Sequence, residues 1–244
     1  MSFLNQVKLS VNINKLATIR NARGGNNPDL ISFAKKIESY GADGITIHPR
    51  PDQRHIRFDD VYKLREVVQT EFNIEGFPST EFIKMVVDVQ PEQVTLVPDK
   101  PEALTSNNGW NTKSHLHFLR DVISELKEAK IRTSIFLNPD ESLIESAKET
   151  GADRIELYTE SYAYQYSTNK EQAIMPYIST AKKAQEYGLG INAGHDLDLI
   201  NLRYFAEQIP YLSEVSIGHA LVCDALEYGM SNTVKMYLNQ LNRD

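Results

Sequence analysis

Short β-rich runs alternate with longer amphipathic stretches along all 244 residues, and no other feature restricts the possible folds so tightly. The pattern predicts strands at 7–13, 44–47, 72–75, 93–96, 132–136, 154–158, 190–192 and 214–217. It predicts helices at 30–40, 59–70, 80–89, 114–129, 141–150, 171–187, 199–208 and 220–241. Gly41, Gly151 and Gly188 follow helical stretches, where a left-handed C-terminal cap is wanted. Two of them open near-identical strings, Gly41-Ala42-Asp43-Gly44-Ile45-Thr46-Ile47 and Gly151-Ala152-Asp153-Arg154-Ile155-Glu156-Leu157, so the chain repeats a β/α unit. A strand, its crossover helix and the next parallel strand take about 30 residues. Eight such units occupy 1–244 with no room for a second domain, and the expected architecture is α/β, a single-domain closed (β/α)8 TIM barrel. An open doubly wound sheet is the second choice.

Composition narrows the class. With 41% hydrophobic and 24% charged residues the chain is an ordinary globular one, which excludes disordered and fibrous proteins. No stretch approaches the ~18–20 apolar residues of a membrane span, and the first residues lack the regions of a secretory signal, so a cytoplasmic protein without membrane contact is expected. Cys223 is the single cysteine, which excludes an intrachain disulfide and a cysteine metal cluster; in its apolar run it reads as packing. A net charge of −7 suggests no nucleic-acid partner. Yet residues 1–70 hold 11 basic against 7 acidic side chains, a locally basic third suited to a small anion.

In a barrel of this kind the site is built at the C-terminal ends of the strands and in the loops after them. There stand Asn12, Asn14, Lys15 and the 20–25 run with Arg23; His48, Arg50, Arg54, His55 and Arg57; Glu75; the 105–109 loop; Glu156 and Tyr158; Gly194-His195; and Gly218-His219. Arginine forks suit phosphate oxygens, and glycines at a helix start let backbone N–H groups approach an anion. Glu75, in an apolar context, is expected to be desolvated and fit for acid/base work, and imidazoles titrate near neutrality without tuning. His115 and His117 lie on a polar helix start and read as solvated. No close-spaced ligand pair such as His-x-His stands at a strand end, so no metal is expected. No Schiff-base lysine stands out, and a chemically central amine is expected from the substrate.

These residues resemble the pyridoxine 5′-phosphate synthase family over about Lys8 to Leu238. The resemblance rests on Val11-Asn12-Ile13, the run Ala17 to Gly24, the run Gly41 to His48, Arg54-His55-Ile56, Leu96-Val97-Pro98, Asn192-Ala193-Gly194-His195 and Ile217-Gly218-His219-Ala220. It implies a cofactor-free octameric (β/α)8 enzyme that joins 3-amino-2-oxopropyl phosphate to 1-deoxy-D-xylulose 5-phosphate. The products are pyridoxine 5′-phosphate, phosphate and water. Position by position, it implies that His48 and Glu75 are general bases, His195 a proton donor, and Glu156 an acid supporting the transition state. Arg50, His55 and Thr105 match contacts to the deoxyxylulose phosphate, and Asn12, Arg23, Gly218 and His219 contacts to the amino-ketone phosphate. Asn14 and Asp196 fall at substrate-binding positions but depart from the family pattern, which has a carboxylate and a glycine there. Lys15 is expected to offset Asp196. The rival readings are a metal-dependent phosphosugar epimerase or isomerase and a non-catalytic barrel that binds phosphometabolites.

Overall fold

The computed structural model describes residues 6–99 and 108–241. Eight parallel strands close into a barrel in chain order: β1 (Lys8–Asn12), β2 (Gly44–Ile47), β3 (Glu71–Gly76), β4 (Gln93–Leu96), β5 (Arg132–Leu137), β6 (Arg154–Tyr158), β7 (Gly190–Gly194) and β8 (Leu212–Ile217). Every predicted strand is present, with ends displaced by at most two residues. No described helix is long and apolar enough to cross a membrane.

Strands of a parallel barrel usually read as continuous apolar runs, because helices cover one face and packed side chains fill the other. Here β1 to β4 alternate. Leu9 and Val11, Ile45 and Ile47, Phe72 and Ile74, Val94 and Leu96 join the apolar layer packed on the helices. The residues between them fill the lumen, and they are polar. Ser10 Oγ lies 2.7 Å from Thr46 Oγ1, Asn73 Nδ2 donates to Thr46 Oγ1 at 3.3 Å, and Thr95 Oγ1 lies 3.1 Å from Asn73 Oδ1 and 3.3 Å from Glu156 Oε2. Asn192 Nδ2 reaches Gln93 Oε1 across the barrel at 3.4 Å. At the N-terminal end, Arg132 contacts Glu71, and Arg154 lies 3.7 Å from Glu214. The hydrophobic core is therefore a ring around a hydrogen-bonded axis.

The helices are α1 (Asn14–Arg23), α2 (Leu30–Ser39), α3 (Phe58–Val67), α4 (Thr80–Val89), α5 (Leu116–Glu128), α6 (Ile144–Glu149, preceded by a 3₁₀ turn), α7 (Glu160–Glu186), α8 (Leu202–Gln208), α9 (His219–Tyr228) and α10 (Met230–Gln240). Side-chain caps start several of them: Asp29 accepts from Ile31 and Ser32 N–H ahead of α2, and Ser79 from Phe82 N–H ahead of α4. Three features depart from the sequence reading. Helix α1 occupies a stretch read as loop, because buried Arg20 stands where the helical stripe should show an apolar residue. Helix α7 begins eleven residues earlier than expected and breaks at Asn169, whose Oδ1 accepts Gln172 N–H at 2.9 Å and so starts the second segment. The last expected helix is two, parted at Gly229 with φ of 77°.

Candidate active site

Glu75 ends the lumen-facing row of β3, and His48 follows β2 beside it, with Nδ1 3.8 Å from Glu75 Oε2. Asn12 of β1 approaches the same oxygen at 3.5 Å. Asn14 Oδ1 accepts His48 N–H at 2.9 Å, which fixes the backbone that carries the imidazole. Glu156 of β6 is 3% exposed and touches Thr95 across the lumen. Above them Val97, Phe136 and Tyr158 form a small apolar group that closes the inner wall.

Burial in this pocket separates the proton affinities. Burial, then the charges of Glu156 and Asp99, pushes the Glu75 carboxyl well above the usual carboxylate range. Burial raises Glu156 to about 7, against the Thr95 hydroxyl and His195, which favour its charged form. Burial first, then Arg50, His55 and Arg54, push His48 down to about 3. Both members of the His48–Glu75 pair are thus driven toward their uncharged forms. Their 3.8 Å approach therefore sets side by side two groups that burial drives toward neutrality.

Beside this group the loop after β2 gathers positive charge. Arg20 NH2 and Asn21 Nδ2 donate to the His55 carbonyl at 3.3 and 2.7 Å, and Asn21 also reaches the Arg54 carbonyl at 3.2 Å. Arg20 is itself fastened by two 2.7 Å bonds to Asp60. His55 Nδ1 is buried without a hydrogen-bond partner, and burial followed by Lys15, Arg54 and Arg50 pushes the ring down to about 4. An orphaned imidazole nitrogen among cations is what an anion pocket presents. Arg50 NH2 meets Asp99 Oδ2 at 2.9 Å, both side chains buried. His48, Arg50 and Asp99 also line a cleft of about 1220 Å³ that continues outward over α3, α4 and α5.

On the opposite rim, Gly194 permits a close approach: an added Cβ would lie 2.7 Å from Glu156 Oε1 and 3.0 Å from the Ser216 carbonyl. His195 and Asp196 follow with φ of 84° and 56°. Thr159 Oγ1 donates to the carbonyls of Gly194, at 2.7 Å, and His195, and the Tyr158 ring meets the His195 ring edge-on at 5.0 Å. His195 Nδ1 lies 2.9 Å from Asp196 Oδ2. Gly218 leaves room for Asn12, whose Cβ stands 3.0 Å from where a side chain would begin.

The structure thus brings together His48, Glu75, Asn12 and Asn14, places Glu156 and His195 across from them, and sets Arg50 and His55 alongside. Arg23 and His219 stand on the helices that follow β1 and β8. Arg23 is exposed at the far end of α1, about 13–14 Å from Asn14 along the axis. His219 is exposed and lies 3.7 Å from Cys223 Sγ, so Cys223 is a surface thiol and not a packing residue. Lys15 acts on His55, whereas the charges acting on Asp196 are those of His195 and His219. Thr105 lies outside the described residues. His115 and His117 are exposed, as expected. Sequence reasoning missed Asp99, the partner of Arg50, and the supporting roles of Arg20 and Asn21. The Pro98-Asp99 step after a strand end was the one available signal.

Residues 9–243 match the family model of the pyridoxal phosphate biosynthesis protein PdxJ. The pyridoxine 5′-phosphate synthase of Cytophaga hutchinsonii is 59% identical over 236 residues, 97% of this chain and 99% of that one. The enzyme of the same name from Phocaeicola vulgatus is 58% identical over 234 residues, 96% and 98% of the two chains. Among solved structures, a tryptophan synthase from M. tuberculosis superposes with a TM-score of 0.65 at 10% identity, over 98% of this chain and 94% of that one. N-(5′-phosphoribosyl)anthranilate isomerase from Pyrococcus furiosus does so with 0.61 at 11%, over 97% and 98%. At such identities the likeness is one of barrel architecture alone.

Proposed function

The chain belongs to the PdxJ family of pyridoxal phosphate biosynthesis proteins, and from that premise we propose that it joins 3-amino-2-oxopropyl phosphate to 1-deoxy-D-xylulose 5-phosphate. Pyridoxine 5′-phosphate forms, with release of inorganic phosphate and water. The observation that carries the reading is one lumen in which two buried carboxyls are held high and an imidazole is held low, beside a cation-lined loop.

Condensation of the substrate amine with a ketone must shed a hydroxyl, which leaves readily only as water. Burial raises the proton affinity of the Glu75 carboxyl, which suits it to supply that proton and then to serve as the base for the next step. Neutral His48, 3.8 Å away, takes up and returns protons in turn. Departure of phosphate and aldol-type closure call for a further donor, the role given to His195. Glu156 balances positive charge that develops on the nitrogen. Arg50, His55 and Thr105 hold the deoxyxylulose phosphate, with Asn14 beside them. Asn12, Arg23, Gly218 and His219 hold the phosphate of the amino ketone, near the backbone of Asp196. The reaction runs on these acids and bases without a cofactor or metal, in a cytoplasmic homo-octamer.

The test mixes the two phosphorylated substrates with the pure protein and follows the pyridoxine ring by its absorbance. Glu75→Gln and His195→Asn are each expected to lower turnover by at least ~10²-fold, the effect of losing a general acid or base. Near-normal rates in both variants would remove the assignment.

A further inference from the structure

We propose that Asp196 is a positioning residue for His195: it holds the Nδ1–H of the ring, so that Nε2 is the nitrogen that exchanges a proton with substrate. The inference rests on the proton-transfer role given to His195 above.

The contact is 2.9 Å from Nδ1 to Asp196 Oδ2. An ionised carboxylate can only accept, so the proton of the pair sits on Nδ1, and the hydrogen bond made by one ring nitrogen decides what the other does. Asp196 is kept ionised: the hydrogen bond from His195 holds its carboxyl below the usual range, against partial burial. The backbone serves this contact. With φ of 84° at His195 and 56° at Asp196, two successive residues lie in the left-handed region, and their side chains meet in that turn. Asp adopts that region more readily than most residues. The turn is tied on both sides, by Thr159 Oγ1 to the Gly194 and His195 carbonyls and by Asn201 Nδ2 to the Asp196 carbonyl at 3.1 Å. Tyr158, its hydroxyl 2.6 Å from Glu160 Oε2, sets the plane of the His195 ring from the side. A carboxylate repels phosphate, so a phosphate contact at this position falls to the backbone N–H and leaves the side chain for the imidazole.

Glycine takes φ of 56° without strain, so Asp196→Gly removes the carboxylate and keeps the turn. Asp196→Asn keeps an acceptor and removes the charge. Nitrogen NMR of labelled imidazole in the full-length protein reads the tautomer, with His195→Asn assigning the signal. The wild type is expected to show the Nδ1–H form, and Asp196→Gly to lose it while kcat falls about tenfold and KM for both substrates holds or drops. That is the low end of the ~10–100-fold cost of removing the outer partner of a metal-bound imidazole, because the Asp196 side chain is 42% exposed and water replaces part of the contact. Asp196→Asn falls between. An unchanged tautomer with unchanged kcat overturns the positioning role, and so does a rise in KM alone, which would make Asp196 a substrate contact. Full activity of His195→Asn would instead overturn the proton-donor reading itself.

Discussion

Replacing Asp60 by Asn would leave the Arg20 guanidinium, 1% exposed, without its counter-ion. Two bonds of 2.7 Å are at stake, together with the 2.8 Å bond by which Asp60 Oδ2 accepts Arg57 N–H and caps α3. Removing one partner of a buried pair costs about 3–5 kcal/mol, and Asn can keep the cap, so about 3 kcal/mol is the working figure. At roughly 2.1 cal/mol/K per residue, unfolding 244 residues carries an entropy near 0.5 kcal/mol/K, and the midpoint should fall by about 6 °C. Calorimetry at one scan rate would compare Asp60→Asn, Arg20→Met and an Arg20→Met/Asp60→Leu double variant. The double should be less destabilised than the sum of its parts by more than ~1 kcal/mol, since replacing both charges leaves neither stranded. Because Arg20 also holds the His55 carbonyl, KM for a phosphorylated substrate should rise in Asp60→Asn. A midpoint shift below about 1 °C, or an additive cycle, would refute the view that this pair fastens the loop.

Two further outcomes follow from the lumen. Burial raises Glu156 to about 7 in the folded chain against the ordinary 4.5 of the unfolded one, so the folded state binds more protons between these values and stability falls as pH rises through that window. The wild type should therefore lose up to about 3 kcal/mol relative to Glu156→Gln between about pH 4.5 and 7.5. Denaturant midpoints that move in parallel would count against it. Gly194→Ala places a Cβ 2.7 Å from Glu156 Oε1 and 3.0 Å from the Ser216 carbonyl, of which only the first can swing aside. It should cost about 1–3 kcal/mol and lower kcat by at least about tenfold; an unchanged kcat would show that the position of Glu156 does not matter.

The strands were legible because the lumen is polar: Ser10, Thr46, Asn73 and Thr95 interrupt apolar residues at every second position, a signal that parallel barrels usually lack. Helix α1 was hidden by the same principle in reverse, since its buried face carries an arginine. The start of α7 was obscured by the break at Asn169, which divides one stretch into two short ones. Among site residues, those anchored to strand ends were readable from position alone. Contacts between distant loops were not: Arg50 and Asp99 are 49 residues apart, and neither spacing nor periodicity links them. His195 and Asp196 are adjacent, yet adjacency alone does not say that their side chains meet. Arg23 reads as a residue of the loop after β1, and the structure sets it instead at the end of a ten-residue helix.

The hydrogen-bonded axis also bears on how such a chain can change over generations. Residues of the outer ring, such as Ile45, Val94 and Leu157, are held by packing, which accepts substitutes of similar volume. Those on the axis answer to partners on other strands: Thr95 to Asn73 and Glu156 together, Gln93 to Arg132 and Asn192. One replacement there alters what two or three neighbours require, so the axis is expected to be inherited as a block and the ring to drift. Lineages built on this barrel should diverge from the outside inward.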